Sequence, residues 1–139
     1  MNGKMNLGLV ALAGLFVAGC VVIPSNRTDA AHGQRLFTDK CAVCHGSRGE
    51  GAGVASLGLG APPPSLRTLS ERNGGTFPEA YVMAMIDGYD RRDQRHAAMP
   101  EFGAEGMGPI IRVENGDSVQ FIPSDLLALT EYLRTLQNS

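Results

Sequence analysis

The sequence predicts a mainly α-helical protein with one small domain, entered through a leader that is not part of it. Three observations carry this reading. Three segments repeat apolar residues at the helical period between recognisable start and stop residues. One short stretch alternates apolar and polar residues about Asn115-Gly116, the pattern of a β-hairpin. The length, 139 residues, suffices for one modest domain and not two.

The leader is "MNGKMNLGLVALAGLFVAGC", residues 1–20. Lys4 gives a positive start, Leu7 to Val17 an apolar centre too short to span a bilayer comfortably, and Ala18-Gly19 small residues at the exit, which together read as a secretory signal. Its ending "VAGC" resembles the bacterial lipobox, which implies acylation of the Cys20 thiol, cleavage before that residue and a lipid-anchored, exported protein. Val21 stands where aspartate is associated with inner-membrane retention in enterobacteria, so the resemblance points to the periplasmic face of the outer membrane. Residues 21–28, rich in polar residues around one proline, read as a tether, and residues 29–139 as the folded domain.

Within the domain the first helix is expected from about Asp29 to Cys41, with Thr28 or Asp29 as N-cap and Gly33, Leu36, Phe37 and Cys41 on one face. The run "GSRGEGAGVASLGLG" reads as loop. A second helix opens with a capping box of Thr76 and Glu79 around Pro78, carries Tyr81, Val82, Met85 and Ile86 as its apolar stripe, and stops at Gly88. In "GPIIRVENGDSVQFIP", Ile111, Val113, Val119 and Phe121 alternate. A two-residue Asn-Gly turn would set the apolar residues of the two strands on opposite faces, so an odd-length loop or bulge pairing Val113 with Val119 and Ile111 with Phe121 is expected. The last helix takes Ser124 as N-cap, and Leu126, Leu129, Leu133 and Leu136 form its apolar face beside Tyr132.

Composition narrows the function. The formal net charge is −2, and removing the leader, which holds Lys4 and no acid, makes it more negative by one, so a generally basic nucleic-acid-binding surface is not expected. The glycine-rich run is not followed by Lys-Ser or Lys-Thr, so it is no Walker-type phosphate loop. Arg91, Arg92, Arg95 and His96 are interleaved with Asp90 and Asp93 and follow Asp87, which reads as a solvated mixed-charge loop before it reads as a docking patch.

The chemistry is concentrated in "CAVCH", Cys41 to His45. A structural zinc site needs about four ligands, and the third cysteine of the chain is in the leader. A dithiol oxidoreductase places such a pair after a strand, whereas the residues before Cys41 read as helix. Covalent attachment of one haem c uses all three residues: each thiol adds to one vinyl group, and the imidazole comes up beneath the iron. Export agrees with this, and all three cysteines then have a use. A helical domain this small would be weakly stable without the macrocycle in its core.

His45 supplies one axial ligand. The candidates opposite are Met83, Met85, Met99, Met107, His32 and His96. Met83 and Met85 fall in a helix, where packing is the ordinary use of methionine. Met99, in "HAAMPEFG", is presented by a loop stiffened by Pro100 and free to turn at Gly103. Met107, also in a loop, is the rival, and His96 would give a bis-histidine site of lower potential.

These residues resemble the small monohaem c-type cytochromes of mitochondria and bacteria, over about Asp29 to Leu136. "GQRLFTDKCAVCHG" is similar to the family's opening, with Gly33 and Phe37 ahead of the first haem cysteine. "LTEYL" is similar to the last-helix segment whose leucine and aromatic, here Leu129 and Tyr132, pack crosswise on the first helix. "PSL" is similar to the loop whose proline carbonyl, here that of Pro64, accepts a hydrogen bond from the haem-ligating histidine, with the run Pro62 to Pro64 leaving more than one carbonyl to choose from. "AMPEFG" is similar to the distal loop, with Met99 as ligand. The hairpin is an addition to the minimal family fold.

The resemblance implies a cytochrome c fold whose first and last helices cross over a covalently bound haem. It implies one-electron transfer by a monomeric, membrane-anchored periplasmic carrier that exchanges electrons with redox partner proteins, binds no nucleic acid and is not an enzyme. A fixed haem-bearing subunit of a larger dehydrogenase or oxidase is the alternative, and a haem-based ligand sensor or weak peroxidase comes third.

Overall fold

The structure is a computed structural model that describes residues 28–89 and 98–137. The leader with Cys20, the tether up to residue 27, and Arg91, Arg92, Arg95 and His96 lie outside the described residues.

The first helix, α1, spans Ala30–Lys40. Of the two expected caps it uses Asp29, whose carboxylate accepts a hydrogen bond from the His32 amide at 2.7 Å and so satisfies one of the unpaired N–H groups of the first turn. Gly33 and Phe37 form its buried stripe. The last helix, α6, spans Ser124–Thr135 and buries Leu126, Ala128, Leu129, Tyr132 and Leu133. The two helices cross at Gly33, where a Cβ would stand 2.8 Å from Tyr132 Cβ and closer still to the Ala128 carbonyl. Phe37 and Tyr132 meet beside the crossing, ring centroids 5.3 Å apart and planes tilted by 52°.

Ser124 is not the N-cap of α6 but its first residue, and Pro123 precedes it without a side-chain cap. The leading amides are met by backbone instead: Ser124 N donates to Pro109 O at 2.9 Å and Asp125 N to Met107 O at 3.0 Å. Carbonyls from the preceding segment replace the hydroxyl.

The second predicted helix is α4, Glu79–Asp87. It begins later than the expected capping box. Thr76 is drawn into a turn in which its carbonyl accepts from Asn73 Nδ2 at 2.8 Å, and Glu79 turns to Arg134 of α6, 2.7 Å away. Arg134 also stacks over the Phe77 ring, 4.7 Å from its centroid. Val82 and Ile86 face the core, whereas Tyr81 of the predicted stripe is exposed. Gly88 ends the helix in the left-handed region at φ 94°, which only glycine adopts without strain.

The hairpin is present, with a different register. Strands β1 (Ile110–Asn115) and β2 (Ser118–Pro123) pair antiparallel. Asn115 lies opposite Ser118, so Gly116-Asp117 is the two-residue turn, with Gly116 at φ 57°. Ile111 consequently faces Ile122 and Val113 faces Gln120, not the expected Phe121 and Val119. With the turn moved by one residue no bulge is needed: Ile122 becomes the buried anchor, and Val119 and Phe121 turn to solvent.

Five short helical pieces, α2 (Ala42–His45), α3 (Leu69–Arg72), α5 (Phe102–Glu105) and the 3₁₀ turns Val54–Gly58 and Leu66–Thr68, complete the described elements. The core cluster is built on Phe37, Val82, Ile86, Phe102, Leu129 and Leu133, with Met107 enclosed in it and Met99 packed against it.

Candidate functional site

Cys41 closes α1 as its C-cap, its amide donating to Phe37 O at 2.9 Å, and α2 begins at the next residue. The carbonyl of Cys41 then accepts from Cys44 N at 3.1 Å and His45 N at 2.9 Å, winding the whole motif into one turn. Spacing of three residues places both thiols on the same side of that turn. Neither is in a disulfide and both are half-buried. Burial pushes the Cys41 thiol up to about 11, and burial likewise holds the His45 imidazole below its usual value, favouring the neutral ring with a lone pair to donate.

Glycines wrap this turn. Gly51 N donates to His45 O at 2.7 Å and Gly53 N to Cys44 O at 3.0 Å. A Cβ on Gly53 would lie 2.7 Å from Ala42 O, and one on Gly51 3.2 Å from the carbonyl carbon of Pro64. The proline loop is thereby laid against the segment that follows His45, and Leu66 N, donating to Gly49 O at 2.7 Å, ties it there. His45 Nδ1 is buried and carries no hydrogen bond, so the implied bond to the Pro64 carbonyl is not formed. The Glu50 carboxylate in this loop is held below the usual range by the amides of Glu50 and Arg48, the latter at 2.7 Å.

Of the candidate distal ligands, Met107 is buried in the core and Met99 and Met83 are half-buried against it. His32 is engaged elsewhere, its Nε2 donating to Asp125 Oδ1 at 2.9 Å. Among the described residues no group of three or more His, Cys, Asp or Glu could hold a bare metal ion. Two thiols and an imidazole on one turn suit instead a group that brings its own equatorial ligands to the metal.

Residues 30–137 match the family model described as Cytochrome c. The chain belongs to the cytochrome c family. It is 32% identical over 101 residues to cytochrome c6 of Rippkaea orientalis (strain PCC 8801 / RF-1), an alignment covering 72% of this chain and 78% of that protein. No solved structure matches the chain.

Membership implies haem-based electron transfer and covalently bound haem c. The residues fit that group. Cys41 and Cys44 are free thiols on the same turn as the His45 imidazole, the donor set that haem c attachment requires. The structure also brings forward residues that the sequence reading treated only as loop or helix end. Gly51 and Gly53 are sites of close backbone approach, a role that glycines directly after an attachment motif could have signalled. Gln137 donates to Leu66 O at 2.9 Å and accepts from Ser70 N at 3.0 Å, anchoring the segment after the proline loop to α6. No pattern in the sequence marks it.

Proposed function

We propose that this cytochrome c is a one-electron carrier held at the periplasmic side of a bacterial membrane, on the outer membrane, by lipid on Cys20. It bears one haem c bonded through Cys41 and Cys44, with His45 and Met99 as axial ligands, and exchanges electrons with protein redox partners. The observation that carries the reading is the single turn Cys41 to His45, which holds two free thiols and an imidazole whose pKa burial lowers.

Bound there, haem c supplies a one-electron ferric/ferrous couple. The chain's own residues set its environment. Cys41 and Cys44 fix the group's position on the turn, and His45 offers nitrogen from a ring kept uncharged by burial. Met99 offers a soft thioether, which favours the ferrous state and raises the potential relative to bis-histidine ligation. With His45 and Met99 both holding the iron, no position would be left open to a substrate, so the protein would carry electrons and would not act as an enzyme. Lipid on Cys20 would hold the domain at the membrane surface. Among the described residues no helix is long and apolar enough to cross a membrane.

Visible spectra of oxidised and reduced protein, together with a haem-stained denaturing gel, test the attachment. The protein with Cys41→Ala and Cys44→Ala together is expected to lose all haem that survives denaturation, because thioethers require both sulfurs. Full staining of that variant would overturn the assignment.

A further inference from the structure

The hairpin has a face and an edge that the fold leaves unused. Directly opposed residues share a face of the sheet, so Ile110, Arg112 and Glu114 of β1 stand with Phe121 and Val119 of β2 on the side away from the core. Ile110 is 61% exposed, Phe121 69% and Val119 46%. The sheet has two strands, and among the described residues β1 is paired with β2 alone. A six-residue edge beside exposed apolar side chains is a pairing template.

We infer that β1 pairs antiparallel with β1 of a second copy of this chain, about a two-fold axis at Val113, joining the hairpins into a four-stranded sheet.

Backbone geometry and charge select this register. Asn115 and Ser118 flank the two-residue turn and exchange hydrogen bonds, so by alternation Val113 and Ile111 also bond to β2. The N–H and C=O groups of Ile110, Arg112 and Glu114 therefore point to the free edge. An antiparallel mate must bring its own outward residues opposite these. Centring the pair on Arg112 sets guanidinium against guanidinium, and centring it on Glu114 sets carboxylate against carboxylate, both unfavourable. Centring on Val113 sets Arg112 opposite Glu114 of the second copy, and does so twice by symmetry. Within one copy Arg112 and Glu114 already form an ion pair, so each charge keeps its own partner and faces a second of opposite sign. Phe121 and Val119, next to Arg112 and Glu114 across the hairpin, flank the two crossed pairs.

Sedimentation equilibrium of the haem-loaded full chain in mild detergent, across the micromolar to near-millimolar range, tests the inference. A reversible monomer–dimer equilibrium is expected. Arg112→Glu and Glu114→Arg should each weaken it about tenfold, since either reversal places like charges opposite twice, and the two together should restore it. Arg112 and Glu114 are both exposed, so the domain should fold normally in these variants. Val113→Cys should give a disulfide-linked dimer under oxidising conditions, because non-hydrogen-bonded antiparallel partners have Cα atoms about 4.5 Å apart, within disulfide reach. A monomer throughout the range, or association that both single reversals leave unchanged, overturns the pairing.

Discussion

Gly33 of α1 rests directly on the Ala128 carbonyl of α6, and a Cβ there would collide with that oxygen and stand 2.8 Å from Tyr132 Cβ. The obstacle is main chain in the middle of a helix, which cannot rotate away as a side chain tip can. Gly33→Val is therefore expected to destabilise the domain by about 3 kcal/mol, the upper end of ordinary overpacking. Thermal unfolding of the haem protein checks this, and an unchanged midpoint would show that the helices do not cross there.

Met99 and Met107 should separate function from packing. Loss of Met99, which contributes the proposed distal sulfur, should lower the potential and abolish the ferric sulfur-to-iron charge-transfer band while haem stays covalently attached. Carbon monoxide binding by the reduced variant should appear as well. Met107 is only 6% exposed within the core, so Met107→Ala should keep the band and cost about 2 to 5 kcal/mol of stability. The reverse pattern in spectroelectrochemistry would move the ligand to Met107.

Gln137→Glu offers a test of the tie between α6 and the proline loop. The carboxylate can still accept from Ser70 N but can no longer donate to Leu66 O or to Leu133 O, which lies 2.7 Å from Nε2. A loss of about 1 to 3 kcal/mol is expected. Gln137→Ala, which abandons the Ser70 amide too, should lose more; equal melting points for the two variants would argue that the Ser70 bond contributes nothing.

Cys20→Ser is expected to release the protein into the soluble periplasmic fraction, since it removes the proposed site of the acyl chains. Fractionation decides. A variant still wholly membrane-bound would count against lipidation at this residue.

The long elements were legible because each carried redundant signals: Asp29 and a buried Gly33/Phe37 stripe for α1, Gly88 for the end of α4, leucines at helical spacing for α6. What escaped was competition between local signals and distant partners. Thr76 and Glu79 spell a capping box, but Asn73 and Arg134 take them for other bonds. Ser124 has the chemistry of a cap, yet the carbonyls of Pro109 and Met107 are already there. In the hairpin, Asn115-Gly116 advertised a turn that in fact lies at Gly116-Asp117, and one step of register exchanged Phe121 for Ile122 as the anchor. That Cys41, Cys44 and His45 share one turn was readable from their spacing alone, because that geometry is local. The Gly51 and Gly53 cradle and the Gln137 tie depend on segments far apart in the chain.

The contact of His32 Nε2 with Asp125 Oδ1, 2.9 Å, joins the first turns of the first and last helices. Asp125 is bonded through its amide to Met107, and the neighbouring Ser124 to Pro109 at the root of the hairpin. The polypeptide thus enters its domain at the same corner where the last helix and the hairpin take hold. Were the domain held by its N-terminus, as proposed, a pull arriving there would load α1 and α6 together through this clasp instead of α1 alone.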